Sequence, residues 1–344
     1  MKIAILTFHN VPNYGAFLQM YALSTIVKSL GHEVHIINLP LKPKHRLTTK
    51  ILNSLNNISF NKYRAKFLNI TKELSEMTIE EKNQFDLYIV GSDQVWNKKI
   101  TEETYLQYFF DFVRLERKKI SYAASFGQDR WIYNDEQTES IRKCLLEFQG
   151  VSVREDIGVE FCQTHLGIDA ELVVDPTLLL KAESYDDLIA TTKSQIYNNV
   201  TCYKFKKDNE FFSFCERFTS KYMLQIDDLK GVKPFKKVNN IMFPSIATWL
   251  KAIKEAKYVI TDSFHGVCFS IIFKKNFVVI PADISKFNRI SSLLASLNLE
   301  DRIFYSYNEI LDDDRWKKEI DYVSVDEKLD DTRMKSLRFL KRFL

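Results

Sequence analysis

Glycine is scarce in this chain, nine among 344 residues, and the fingerprint that glycine builds is missing. Gly15 stands alone in the first loop where Gly-x-Gly-x-x-Gly would be expected, so no dinucleotide cofactor is inferred. The cysteines number five, with no Cys-x-x-Cys, which indicates neither a disulfide framework nor a zinc ribbon; scattered thiols point to a reducing cytoplasm. No apolar run approaches the roughly 18 residues of a membrane span. The apolar segment 3–8 is short and no small-residue cleavage site follows it, so it reads as a first strand and not a signal peptide. The net charge of +4 is too mild to argue for nucleic acid, and no nucleic-acid motif accompanies it. None of the six histidines pairs with another ligand at metal spacing, so no metal site is expected.

What is present is a hydrophobic content of 45% and an aromatic content of 13%, enough for two sizeable cores. Segments 2–7, 33–38, 85–90, 120–126, 151–154 and 172–174 read as strands, with helices at 16–30 and 135–149. Gly15, Gly91, Gly127 and Gly266 each read as lying just past a strand, in the loops where open α/β sheets bind ligands. Residues 42–66 are basic and helix-prone, a solvated face by first reading. A second α/β rhythm follows, with strands at 200–205, 223–226, 258–261 and 277–280 and helices at 210–221, 244–256, 267–273 and 290–297. The expected organisation is an N-terminal Rossmann-like domain (1–180), a C-terminal Rossmann-like domain (181–325) and an amphipathic helix (326–344). Met334, Leu337, Leu340 and Leu344 fall on one stripe of that tail, which favours packing back on the first domain over docking peripherally on a membrane.

Three loops carry chemical potential. Arg154, at a strand's carboxyl end, can grip a carboxylate or phosphate with two parallel bonds; the plain alternative is an ion pair with Glu155 or Asp156. His265-Gly266 opens an apolar helix whose first amides favour an anion, and a histidine there can donate a proton. Asp93, in Gly91-Ser92-Asp93, can cap a helix or hold an acceptor hydroxyl.

Six motifs in this order carry more than any one of them. They are Thr7-Phe8-His9-Asn10 with Asn13-Tyr14-Gly15-Ala16, Gly91-Ser92-Asp93-Gln94-Val95-Trp96-Asn97, Ser121-Tyr122-Ala123-Ala124-Ser125-Phe126-Gly127, Val151-Ser152-Val153-Arg154-Glu155, Val174-Asp175-Pro176-Thr177-Leu178 and Thr261-Asp262-Ser263-Phe264-His265-Gly266. Together the chain resembles the polysaccharide pyruvyl transferase family over residues 1–302. The resemblance implies a two-domain fold like that of GT-B glycosyltransferases, with a ligand cleft between the domains. It implies phosphoenolpyruvate as donor, acting as co-substrate with no further cofactor. The acceptor would be a saccharide or lipid-linked saccharide, pyruvylated in the cytoplasm or at the inner membrane face. By the same resemblance Arg154 and His265 are the functional pair, and Arg289 corresponds to the family's downstream arginine. Beside these, Ser263 and Gly266 are expected on the donor side with Arg289, and Asn10, Asn13, Tyr14, Gly91, Ser92 and Asp93 on the acceptor side or in the cleft. The amides of Gly266 and Val267 would then hold the phosphate. The chain departs from the family pattern at Val267, where threonine is frequent, and at the strand end 203–207, which lacks a cradling glycine. Two other readings stand beside this one: a nucleotide-sugar glycosyltransferase on the same scaffold, and a non-catalytic glycan-binding relative. Against the first, Asp283 is the one acid between Gly266 and Arg289.

Overall fold

Five parallel strands build each of two sheets. In the first, β1 (Lys2–Leu6), β2 (Glu33–Asn38), β3 (Ile70–Glu73), β4 (Leu87–Val90) and β5 (Lys118–Ser121) lie in the order β3-β2-β1-β4-β5. A parallel pair, β6 (Ser152–Val153) and β7 (Glu171–Leu172), continues from β5 through the bridges Ile120↔Gly150 and Ala124↔Val153. In the second sheet, β8 (Val200–Tyr203), β9 (Ile226–Asp228), β10 (Asn239–Asn240), β11 (Tyr258–Thr261) and β12 (Asn276–Val279) lie in the order β10-β9-β8-β11-β12. The structure, a computed structural model, describes residues 1–41, 47–192, 200–229, 239–241, 243–283 and 287–344. The chain divides into two units, Met1–Leu180 with Asp330–Leu344, and Lys181–Leu329.

Both sheets repeat one topology. Strand order reverses between β1 and β4 in the first unit and between β8 and β11 in the second. At such a switch point neighbouring connections leave in opposite directions and open a crevice at the strands' carboxyl ends. The strands can be this short because both faces are covered: all four residues of β4 are buried, as a parallel sheet between helices requires. The helices that cover them start on sequence-encoded caps. Asn13 accepts from the Ala16 amide ahead of Tyr14–Ser29, and Ser263 accepts from the Gly266 amide ahead of Phe264–Ile272. Among the described residues no helix is long and apolar enough to cross a membrane.

Several elements differ from the sequence expectation for identifiable reasons. The strand expected at 120–126 stops at Ser121, because Ala123 turns the chain with φ = 55° before Ala124 rejoins Asp93 and Val153 by bridges. Gly15 and Gly266 lie inside the first turns of helices and not in the preceding loops. Strand β3, Ile-Thr-Lys-Glu, was not anticipated, since an edge strand need bury little. Of the basic stretch 42–66, residues 42–46 lie outside the described residues; Leu47–Phe67 is a helix. The tail helix runs Tyr322–Lys341, and its end joins the first unit. There Ser336 accepts from the Val174 amide at 3.0 Å and Phe339 packs on Tyr122. Leu340 of the apolar stripe is buried, whereas Met334 faces outward, 57% exposed.

Gly266 is fixed by close approach. A Cβ there would sit 2.3 Å from Thr261 Oγ1 and 3.1 Å from its Cβ, driving the helix off β11. Gly266→Ala is therefore expected to cost ~1–3 kcal/mol in urea unfolding, despite alanine's better helix propensity. A second expectation concerns His9, buried at the end of β1 with Nε2 on Asn38 Oδ1 at 2.8 Å. Burial holds its pKa below the ordinary 6.5. As pH falls from about 6.5, the unfolded chain takes up a proton that folded His9 refuses, so stability falls with pH in that window. Unfolding measured between pH 7 and 5 should lose part of this slope in His9→Gln.

Candidate functional site

In the first unit, the segments leaving β1, β4, β6 and β7 meet in one buried polar network. Gln19 Nε2 donates to Thr7 Oγ1 at 2.9 Å, and Thr7 Oγ1 donates to the Ser92 carbonyl at 2.7 Å. Ser92 Oγ donates to Asp175 Oδ2 at 2.9 Å. Arg154 Nη1 donates to the same Oδ2 at 2.7 Å and to Ser92 Oγ at 3.3 Å. Asp175 Oδ1 accepts from the amide and hydroxyl of Thr177 at 3.0 and 2.7 Å, capping the short helix Pro176–Leu179. Asp93, in the left-handed region at φ = 80°, brings a carboxylate oxygen to 3.8 Å from Arg154 Nη2. Glu155 accepts from Ser125 Oγ, which also accepts from the Gly127 amide.

This geometry changes what Arg154 can do. The guanidinium is 6% exposed and lies among Asp175, Glu155 and Asp93. Burial alone would lower its pKa; the three carboxylates outweigh that and hold it above its ordinary value. Its shortest ion pair is with Asp175, with Asp93 at 3.8 Å, and Glu155, one of the two acids the sequence suggested, adds its charge to the cluster. Carboxylate outnumbers guanidinium in this cluster, so it presents hydroxyl acceptors more readily than a cation.

In the second unit, the switch-point loops carry Lys204 after β8 and Asp262-Ser263 after β11. The Asp262 carboxylate accepts from the amides of Phe205 and Lys206 at 2.7 and 3.1 Å, and Lys204 Nζ lies 3.4 Å away. The segment after β8 is thus fixed by a carboxylate, without the glycine that a cradle would use. Thr261 Oγ1 donates to the Tyr203 carbonyl at 2.7 Å and accepts from the Ser263 amide at 3.0 Å. His265 sits in the first turn of Phe264–Ile272, 8% exposed, with the Phe264 ring edge-on at 5.4 Å. The amides of Gly266 and Val267, expected to hold a phosphate, are bonded to Ser263 Oγ and the Ser263 carbonyl at 3.3 and 3.0 Å. Those two donors close the helix cap, and Ser263 and Gly266 thereby shape the loop around His265. Arg289 lies in the first turn of Asn288–Ser296, a helix that packs on the His265 helix.

The structure therefore joins Ser92, Asp93 and Arg154 in one network, with Gly91 at its base against Thr7, and joins Ser263, His265 and Gly266 in one helix start. Asn10, Asn13 and Tyr14 fall elsewhere on the first sheet's edge. Asn10 Oδ1 accepts from the Leu41 amide at 3.3 Å, Asn13 is a helix cap, and the Tyr14 ring packs on Phe60 in the interior. Asp175, Glu155, Thr7 and Lys204 were not assigned from sequence, although Asp175-Pro176-Thr177 carries a legible signal, an N-cap followed by proline at N1. Burial pushes the Cys144 thiol up to about 11 and those of Cys162 and Cys215 to about 12, so none of these supplies a thiolate near neutral pH. Among the described residues no group of His, Cys, Asp or Glu is arranged to hold a metal ion.

The fold recurs in solved structures at low sequence identity. Arabidopsis thaliana UGT89C1 aligns with a TM-score of 0.52 at 10% identity, covering 98% of each chain. A UDP-glucosyltransferase from Polygonum tinctorium aligns with a TM-score of 0.52 at 10% identity, covering 99% of this chain and 97% of that one. S. aureus MnaA, solved with UDP, aligns with a TM-score of 0.51 at 12% identity, covering 92% and 89%. These likenesses establish a GT-B-like α/β fold of two Rossmann-like domains. No curated protein matches the chain. The sequence model of the polysaccharide pyruvyl transferases matches residues 13–283, which takes in the Arg154 network and the His265 helix alike, and the chain belongs to that family.

Proposed function

We propose that this protein transfers the pyruvyl group of phosphoenolpyruvate to two hydroxyls of a saccharide, forming a pyruvate ketal and releasing phosphate. The observation that carries the reading is His265: an imidazole at the start of an apolar helix, at the switch point of the second sheet, inside the span that defines the family. Its proposed role is general acid. A proton delivered to the methylene carbon of the donor turns that carbon into a methyl group and leaves an oxocarbenium-like centre at C2. One sugar hydroxyl adds there and gives up its proton, which replaces the one His265 delivered. The carbon–oxygen bond to phosphate then breaks, a second hydroxyl closes the ketal, and its proton leaves with the phosphate. Arg289 is assigned to the phosphate. In the first unit, Ser92 and Asp93 are assigned to the acceptor hydroxyls, with Arg154 holding Asp93 and Asp175 in place.

A nucleotide-sugar glycosyltransferase is the reading this must beat, since two of the structural neighbours are named for UDP or a UDP-sugar substrate. Phosphate release from phosphoenolpyruvate, assayed over a panel of saccharides with mass spectrometry of the products, separates the two. Turnover of a UDP-sugar without phosphoenolpyruvate would overturn the pyruvyl-transfer reading. General acid catalysis is worth ~10²–10⁴-fold, so His265→Ala should lose about 3–5 kcal/mol of transition-state stabilisation. Near wild-type turnover would remove His265 from the chemistry. In heavy water the ketal methyl should carry deuterium. Arg154→Ala strands the carboxylates around it and should destabilise the fold by ~3–5 kcal/mol, whereas Arg154→Lys should retain more stability. Asp93→Asn should weaken acceptor KM while leaving the unfolding midpoint close to wild type.

A further inference from the structure

The first unit buries a second arginine in a different electrostatic setting. Arg64, near the end of the helix Leu47–Phe67, is 6% exposed. Its Nη2 donates to the Val11 carbonyl at 2.7 Å and its Nη1 to Asn61 Oδ1 at 2.6 Å, and its guanidinium lies 5.7 Å from the Phe60 ring centroid. Its Nε is buried without a hydrogen-bond partner among the described residues. No carboxylate among the described residues pairs with it, and burial pulls its pKa down to about 10 with no acid to raise it. The residues outside the description cannot supply one, because none of them is Asp or Glu. The deficit extends along the chain: residues 34–72 contain no acid at all, while Lys42, Lys44, Arg46, Lys50, Lys62, Arg64, Lys66 and Lys72 fall within them.

A buried charge without a counterion is costly, by several kcal/mol even after relaxation. A fold keeps such a group where something else supplies the opposite charge. The surroundings favour an external anion. The Val11 carbonyl that holds Arg64 also accepts from the Asn13 amide at 2.9 Å, which sets the guanidinium beside the start of the 16-residue helix Tyr14–Ser29. Asn13 Oδ1 caps the Ala16 amide of that helix, but the helix has no acid in its first turn, so the positive end of its dipole still adds to the cation. The corner lies at the carboxyl ends of β1 and β2, flanked by half-buried Asn10 and Asn13, and Asn61 reaches solvent.

We propose that Arg64 and the start of the Tyr14–Ser29 helix form an oxyanion site that binds an acidic group, phosphate or carboxylate, carried by the acceptor saccharide. The assignment to the acceptor rests on the pyruvyl-transfer reading; the existence of the anion site does not. The site makes the enzyme selective for charged acceptors over neutral ones. It sets apart two arginines that share a domain, one neutralised by protein carboxylates and the other by substrate.

The test is calorimetric titration of the full-length protein at low salt with inorganic phosphate, methyl phosphate, methyl glucuronide and, as neutral control, methyl glucoside. Wild type should bind at least one of the three anions and not the neutral glycoside. Preference for methyl phosphate over methyl glucuronide would identify a phosphorylated acceptor, and the reverse a uronate. Arg64→Met should weaken anion binding by about 10- to 150-fold, the span expected for losing hydrogen bonds to a charged group. Arg64→Lys, which keeps the charge should the methionine variant not fold, should weaken it less. Anion binding is read by calorimetry and pyruvyl transfer by phosphate release from phosphoenolpyruvate, so the loss of one is distinguished from the loss of the other. Equal anion binding by wild type and folded Arg64→Met, or no anion binding by wild type, would overturn the site. Phosphoenolpyruvate binding that depends on Arg64 and excludes methyl phosphate and methyl glucuronide would overturn its assignment to the acceptor.

Discussion

The carboxylate of Asp175 is the point on which the loops at the carboxyl end of the first unit's sheet depend. One oxygen takes both the Ser92 hydroxyl and the Arg154 guanidinium, and the other takes the Thr177 amide and hydroxyl. Through Ser92 the tie reaches Thr7 and Gln19. Loops at the carboxyl end of a parallel sheet have no ladder to hold them, and a single buried acid can do so only if every lone pair is used and a cation balances it. Asp175 meets both conditions, which explains why a network this polar can lie in the interior.

The second unit solves the same problem with a neutral cap and a separate ion pair. Ser263 closes the helix start with side chain and carbonyl, and Asp262 pins the segment after β8 through two amides beside Lys204. The consequence is that rigidity is concentrated in the neighbours of His265: Thr261, Asp262, Ser263 and Gly266 hold the loop that carries it. A loop held in this way would let His265, in its proposed role of proton donor, meet its target without ordering during the reaction.

Much of this was legible beforehand, and the exceptions are instructive. Both Rossmann-like rhythms could be read because buried parallel strands appear as short apolar runs, and Leu-Tyr-Ile-Val of β4 is such a run. Strand β3 could not be, since its polar Ile-Thr-Lys-Glu pattern has no period that separates it from a loop. Arg154 and His265 were singled out by place and type, but the partners of Arg154 lie 21 and 61 positions away, at Asp175 and Asp93. No local pattern encodes contacts at that separation. The helix after β11 begins at Phe264, ahead of the expected 267, because Ser263 caps it there. Within its basic run Arg64 reads as one more solvated residue; the signal that sets it apart is the lack of any acid around it, a property of the whole stretch.

The first unit is not contiguous in the chain: it consists of Met1–Leu180 and the returning segment Asp330–Leu344. That segment supplies the Ser336 hydroxyl to the Val174 amide, the Arg333 guanidinium to the Leu178 carbonyl and the Phe339 ring to Tyr122. Val174 is next to Asp175. The contacts that finish the turn at Asp175 are therefore encoded after the whole of Lys181–Leu329, so in chain order the second unit is made before the first unit can close around Val174.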